Sequence, residues 1–235
     1  PGYPTLAAGT GYGTGAGLGG WNCRHSYHPF FPGYESSYSA DILKEYQRKT
    51  CTYNGKALTE YEVSQQQRYF ERGIRRWKRE YTAMDAAGLD TTQAAVKLKQ
   101  WREKEADFLR QTGCRRDSSR SQIGTFGRSE ASKAMWAARK FEQFSQAITG
   151  TTASTGVVVT EVSPHIFARC NERGVSEGDI VNALTTPLRI GKIRADMSQQ
   201  FIGEKATVVL NTETGKAVTV WPTSANRAQK LKGGS

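Results

Sequence analysis

The sequence predicts an α+β chain, with a mainly helical N-terminal segment and a small C-terminal domain of two helices on a four-stranded antiparallel sheet. Three observations predict it. Apolar residues return at three- and four-residue steps through the middle of the chain, and beyond Val157 the period shortens to alternating runs. Between the two lies ITGTTASTG, residues 148–156, whose small polar composition reads as a linker. The expected division is therefore 1–147, a linker at 148–156, and 157–235.

Residues 1–35 are Gly- and aromatic-rich without a sustained period, which predicts loops and turns. From Glu60 to Ala87, Tyr61, Tyr69, Phe70, Ile74, Trp77, Tyr81 and Met84 mark a long amphipathic helix that Gly88 stops. Asp90-Thr91-Thr92 offers capping side chains, and a second helix follows to near Gly113, which makes a helical hairpin over about 60–112. A third helix is expected at about 129–147. Val157–Val162 is β-branched, and helices are expected at Pro164–Glu172 and at Ser176–Thr185, the latter with Ser176 as N-cap and Asp179 at its third position. Four strands complete the order: Leu188–Ala195, Gln199–Ile202, Ala206–Asn211 and Lys216–Trp221, with turns at Asp196, Gly203-Glu204 and 211–215.

The formal charge of +11 biases the chain toward polyanions. No apolar run reaches membrane-spanning length, so no membrane partner is expected. The start at Pro1 predicts a fragment or a processed product. Cys23, Cys51, Cys114 and Cys170 are scattered without a CxxC pair, which argues for reduced thiols in a cytoplasmic setting rather than a disulfide framework. Cys23, His25 and His28 lie within six residues and offer three zinc ligands; the competing reading is a hydrogen-bonded Gly-rich turn.

The stretch SPHIFARCNERG carries the sharpest chemistry. His165, Arg169 and Arg173 drift by only about 40° per four-residue step and share a helix face. A solvated helix face is the plain reading of that spacing. Lys192 and Arg194 project to one side of the first predicted strand, and Thr219, Thr223 and Ser224 gather at the end of the last. One proton carrier, several fixed cations and hydroxyls suit metal-free RNA cleavage, in which a base deprotonates the ribose 2′-OH and cations stabilise the transition state. No carboxylate cluster for magnesium is visible, so neither metal nor cofactor is expected.

Arg68, Arg72, Arg75, Arg76, Lys78 and Arg79 form a positive ridge on the long helix, offset by Glu71 and Glu80. It predicts sequence-blind contact with DNA, or a solvated face partly neutralised by pairs such as Glu71–Arg75.

Two resemblances join these readings. Residues about 157–225, through SPHIFARCNERGVSEGDIVNALTTP, GKIR, QQFIGEKATVVLN and TGKAVTVWPTS, resemble the nuclease superfamily of barnase, EndoU, colicin-type tRNases and RelE-like toxins. That resemblance implies metal-independent RNA cleavage, with His165 as general acid/base, Arg169 and Arg173 as its basic companions and Thr223 as the hydroxyl after the last strand. It also implies an RNA substrate such as tRNA and an acidic immunity protein as partner. Residues 1–140, through GYGTGAGLGGWNCRHSYHPFFPG, QQQRYFERGIRRWKREYTAMDAAGLD and GRSEASKAMWAARK, resemble the C-terminal part of phage minor capsid, portal-associated proteins. This implies portal or capsid partners and a place in the virion, with a toxin released into the host cytoplasm. The rivals are a non-catalytic virion structural protein, or a toxin such as an ADP-ribosyltransferase; the latter needs a late glutamate, and only Glu204 and Glu213 are available, both at predicted turns.

Overall fold

The computed structural model describes residues 3–21, 23, 25–27, 31–33 and 39–233, which fall into two units, Pro1–Gln47 and Arg48–Ser235. In the first unit α1 (Leu6–Thr10) is capped by Thr5, whose hydroxyl accepts from the Ala8 N–H, and ends at Gly11 in the left-handed region. The chain then turns tightly through the glycines, and a Cβ on Gly17 would sit 1.9 Å from the Gly11 carbonyl oxygen, so only glycine fits there. A second helix, α2 (Ala40–Gln47), closes the unit. None of its described residues is buried. Among the described residues of 1–35 the chain is turns and irregular segments apart from the short helix α1.

The second unit opens with a hairpin, β1 (Lys49–Tyr53) and β2 (Lys56–Thr59), that periodicity did not predict. Asn54 and Gly55 both take positive φ, 47° and 78°, which matches the twist of a two-residue turn. The hairpin runs straight into α3 (Glu60–Ala86) through a capping box: the Thr59 hydroxyl accepts from the Glu62 N–H, and the Glu62 carboxylate accepts from the Thr59 N–H. Helix α4 (Thr92–Thr112) returns antiparallel after Gly88, with Asp90 accepting from both the N–H and the hydroxyl of Thr92. The two helices approach closely at Gly73, where a Cβ would lie 2.2 Å from the Trp101 ring. After a single 3-10 turn at Ser118–Ser121, α5 (Arg128–Ile148) packs on α4. Ile74, Tyr81, Ala95, Leu98, Ala134 and Ala138 fill the core between these helices. Phe70 and Phe108 join Leu58 under the hairpin.

The C-terminal part has β3 (Glu161–Val162), α6 (Pro164–Arg173), α7 (Glu177–Thr185), β4 (Arg189–Ile190), β5 (Ser198–Ile202), β6 (Ala206–Asn211), β7 (Lys216–Pro222) and α8 (Ala225–Lys232). The helix over 164–173 and the Ser176/Asp179 capping box of α7 lie where the sequence places them. The sheet differs. It has five strands in the order β3-β7-β6-β5-β4, and β3 pairs parallel with β7 through Glu161↔Lys216 and Val162↔Ala217. The expected antiparallel four-stranded sheet is thus a mixed one, because the β-branched run before α6 adds itself to the edge. The first expected strand, 188–195, also shortens to two residues: Met197 takes φ 60° and its N–H closes a turn on the Arg194 carbonyl.

The stretch 148–156 is not an extended tether. Ile148 and Ala153 are buried with Phe144, Val159 and Ile166, and a bridge joins Thr152 to Val158. Its small polar residues make a tight fold-back, while two apolar residues anchor it. Helix α5 consequently serves two cores, Ala134 and Ala138 in the helical one and Phe144 and Ile148 in that of the sheet.

Candidate functional site

Two cationic faces are available, one on α6 and one on α3. Ser163 caps α6 by accepting from the His165 N–H, Pro164 occupies its first turn, and Gly174 ends it at φ 63°. Ile166 and Cys170 point into the core, which turns His165, Arg169 and Arg173 outward. The Arg169 Nε–H donates to His165 Nε2 at 3.4 Å, while its other nitrogen holds Glu172 at 3.0 Å. Burial, reinforced by Glu177 and Asp179, pushes the Cys170 thiol up to about 12, so it stays protonated and is no nucleophile.

The other residues predicted for this site lie differently. Lys192 and Arg194 are exposed in the segment beyond β4 rather than aligned on a strand. Thr219 and Trp221 share a face of β7, each half-buried, opposite Val209 and Thr207. Thr223 is buried, and its hydroxyl pairs with that of Thr207 at 2.8 Å. Ser224 is exposed at the N-cap of α8 without a side-chain bond. Thr223 lines a cavity of about 440 Å³ with Glu204, Lys205, Ala225, Ala228, Gln229 and Lys232, walls that include none of His165, Arg169, Arg173, Lys192 or Arg194. The structure thus keeps the α6 stripe together and gives the hydroxyl end of β7 a different cavity.

On α3, Arg72, Arg76 and Arg79 are exposed and Arg68 and Arg75 half-buried. None of the five makes an ion pair among the described residues; Arg76 stacks on Trp77 at 5.3 Å. Two members of the expected ridge turn inward instead. Glu71 and Lys78 fall on the face of Ile74 and are 2% and 7% exposed. Glu71 therefore cannot screen the ridge as a surface pair with Arg75: burial pushes its carboxyl up, and its Oε1 has no hydrogen-bond partner.

In the first unit Cys23 Sγ lies 3.5 Å from His25 Nδ1, and hydrogen bonds from this segment bring the thiol down to about 7. His28 lies outside the described residues. Among the described residues no three His, Cys, Asp or Glu side chains form a metal-sized group.

Residues 2–110 match the family model of phage minor capsid protein 2. A structural protein of Lactococcus phage mv4 is 35% identical over 94 residues, covering 40% of this chain and 68% of that relative. The chain belongs to the phage minor capsid protein 2 family. It is a phage structural protein, and its matched part holds the glycine-rich segment, the β1–β2 hairpin, α3 and most of α4. A structural protein of Lactococcus phage LL-H is also 35% identical, over 88 residues that make up 37% of this chain and 21% of that relative. No solved structure matches the chain. Among the described residues no helix is long and apolar enough to cross a membrane. The arginine face of α3 thus lies in the part that defines this minor capsid family, and the α6 stripe lies beyond it.

Proposed function

We propose that this minor capsid protein contacts packaged DNA through the α3 arginines, binding phosphates without reading bases. The carrying observation is that Arg68, Arg72, Arg75, Arg76 and Arg79 follow one another along a single helix without an ion pair among the described residues. Guanidinium forks match phosphate oxygens, and each contact releases condensed counterions. Portal and neighbouring capsid proteins are the other partners this role implies. The test is binding of a random-sequence duplex at low salt to the full chain and to a variant with Arg68, Arg72, Arg75 and Arg79 all changed to Gln. A loss of tenfold or more in affinity supports the reading, and equal affinity contradicts it.

A second reading is favoured by the contact between His165 and Arg169. Here the C-terminal domain is a metal-independent ribonuclease: Arg169 turns from His165 Nε2 to the phosphate, and the freed nitrogen takes the 2′-OH proton as the 2′-oxygen attacks phosphorus. The 5′-oxygen leaves with a proton from water, and Arg173, Lys192 and Arg194 add positive charge. Thr223 is left out of this reading, because the cavity it lines includes neither His165 nor the two arginines of α6. An acidic immunity protein would cover this face. The full chain is the right reagent, since removing Phe144 and Ile148 would open the core beneath α6. Cleavage of total RNA that survives EDTA and disappears with His165→Ala supports the reading. Intact RNA at high protein concentration overturns it.

A further inference from the structure

Behind the arginine face, on the inward side of α3, lies a cavity of about 520 Å³ between α3, α4, α5 and the Ser118–Ser121 turn. Its size falls in the range of small-molecule sites, about 300–1,000 Å³. Four cationic and two acidic side chains line it: Lys78, Lys99, Arg102 and Arg116 against Glu103 and Glu105. Two of the cations are already matched. Lys99 holds Glu103 and Glu142, and Arg116 donates to Glu105 at 2.6 Å.

Lys78 and Arg102 have no ion pair among the described residues. Lys78 is 7% exposed, and its ammonium donates to one acceptor, the Ser121 carbonyl at 2.7 Å, with the Phe126 ring on another side. Arg102 is half-buried and makes no hydrogen bond or ion pair among the described residues, although its guanidinium carries five N–H donors. Burial, then a neighbouring cation, disfavours the charged form of each group, Arg102 acting on Lys78 and Arg116 on Arg102, while Glu105 attracts both and offsets part of that effect. Partly desolvated like charges with no carboxylate in direct contact remain costly unless something negative joins them.

We propose that this cavity binds a small phosphate-class oxyanion, held by the Arg102 fork and the free donors of Lys78. The two cations without an ion pair of their own match a dianion. Ile74, Ala106 and Met135 form apolar wall on which the remainder of a phosphorylated small molecule would rest. Sulfate-like trapping by surface lysines is a different situation, because here one of the two cations is buried and the other has no partner of its own.

The test is titration calorimetry on the full chain at constant ionic strength, with inorganic phosphate, pyrophosphate and a nucleoside monophosphate as separate arms. Saturable one-to-one binding, weakened at least tenfold by Arg102→Gln, is expected. Because Arg102 makes no side-chain hydrogen bond or ion pair among the described residues, Arg102→Gln should also melt at or above the wild-type temperature without ligand, and lose the ligand-dependent rise in Tm. The arm that binds most tightly identifies the source of the phosphate. The Arg68/Arg72/Arg75/Arg79→Gln variant should bind as the wild type does. Absence of saturable binding in all arms overturns the proposal, as does binding that survives Arg102→Gln or vanishes only in the four-arginine variant. A failure of DNA binding by α3 leaves this outcome unaffected.

Discussion

Helices α3 and α6 carry basic residues at the same four-residue step, yet their surroundings make them different surfaces. On α3 five arginines make no ion pair among the described residues, and of the two acids that offset them in sequence Glu71 is drawn into the interior. On α6 Arg169 is held by Glu172 and His165, and the expected hydroxyl partner, Thr223, pairs with Thr207 and lines a different cavity. Spacing decides which residues share a face. Whether that face is open for a ligand depends on what else folds beside it.

The two helices also rest on different supports, and the largest effect tests that. Ile148 is fully buried in the core beneath α6 and contributes nothing to the helical core under α3. Ile148→Ala should cost about 2–5 kcal/mol of stability, read by chemical denaturation, as for a large-to-small change in a packed core. Disruption centred on α6 and the sheet, with duplex binding by α3 retained under native conditions, would sharpen the contrast. Equal damage to both would break it.

Next in size is Thr223→Val, which leaves the Thr207 hydroxyl buried without a partner and should cost about 1–3 kcal/mol. RNA cleavage, if present, should be unchanged; its loss would return Thr223 to the α6 site. A smaller effect is expected from Glu172→Gln. Freeing Arg169 from an exposed pair should change stability by no more than about 1 kcal/mol and raise the affinity for RNA slightly, making α6 more like α3.

The smallest effect concerns the start of α3. The Lys49 ammonium, followed by the Thr59 N–H, holds the Glu62 carboxyl down from its ordinary 4.5 to about 2. A depressed carboxylate stabilises the fold above its unfolded value, and that contribution disappears as the pH falls from about 4.5 toward about 2. Melting temperatures of the wild type and Glu62→Gln should therefore differ at pH 6 and converge near pH 2. A constant difference across that range would remove the Lys49–Glu62 pair as its source.

Much of this was legible in the sequence where one local rule suffices. The α3–α4 hairpin follows from apolar spacing and Gly88, and α7 from Ser176 with Asp179. The β1–β2 hairpin carried an Asn54-Gly55 signal that went unused because its strands are short and mostly exposed. What depended on tertiary partners was not legible. The burial of Lys78 is visible only as its place four residues after Ile74 and three before Tyr81, both core residues, and the sign of a lysine there is decided by the Ser121 carbonyl. The parallel pairing of β3 with β7, the two-core role of α5 and the Thr207–Thr223 pair all join residues far apart in the chain. No periodicity reports them.

The salt dependence of duplex binding tests the central claim most directly. The log of the binding constant against the log of salt concentration should fall steeply for the full chain, by about 0.9 for each phosphate contacted. Replacing Arg68, Arg72, Arg75 and Arg79 with Gln should flatten that slope by roughly three to four contacts, while His165→Ala leaves it as it was. A slope unchanged by the α3 substitutions, or one that flattens with the α6 substitution instead, would contradict the account.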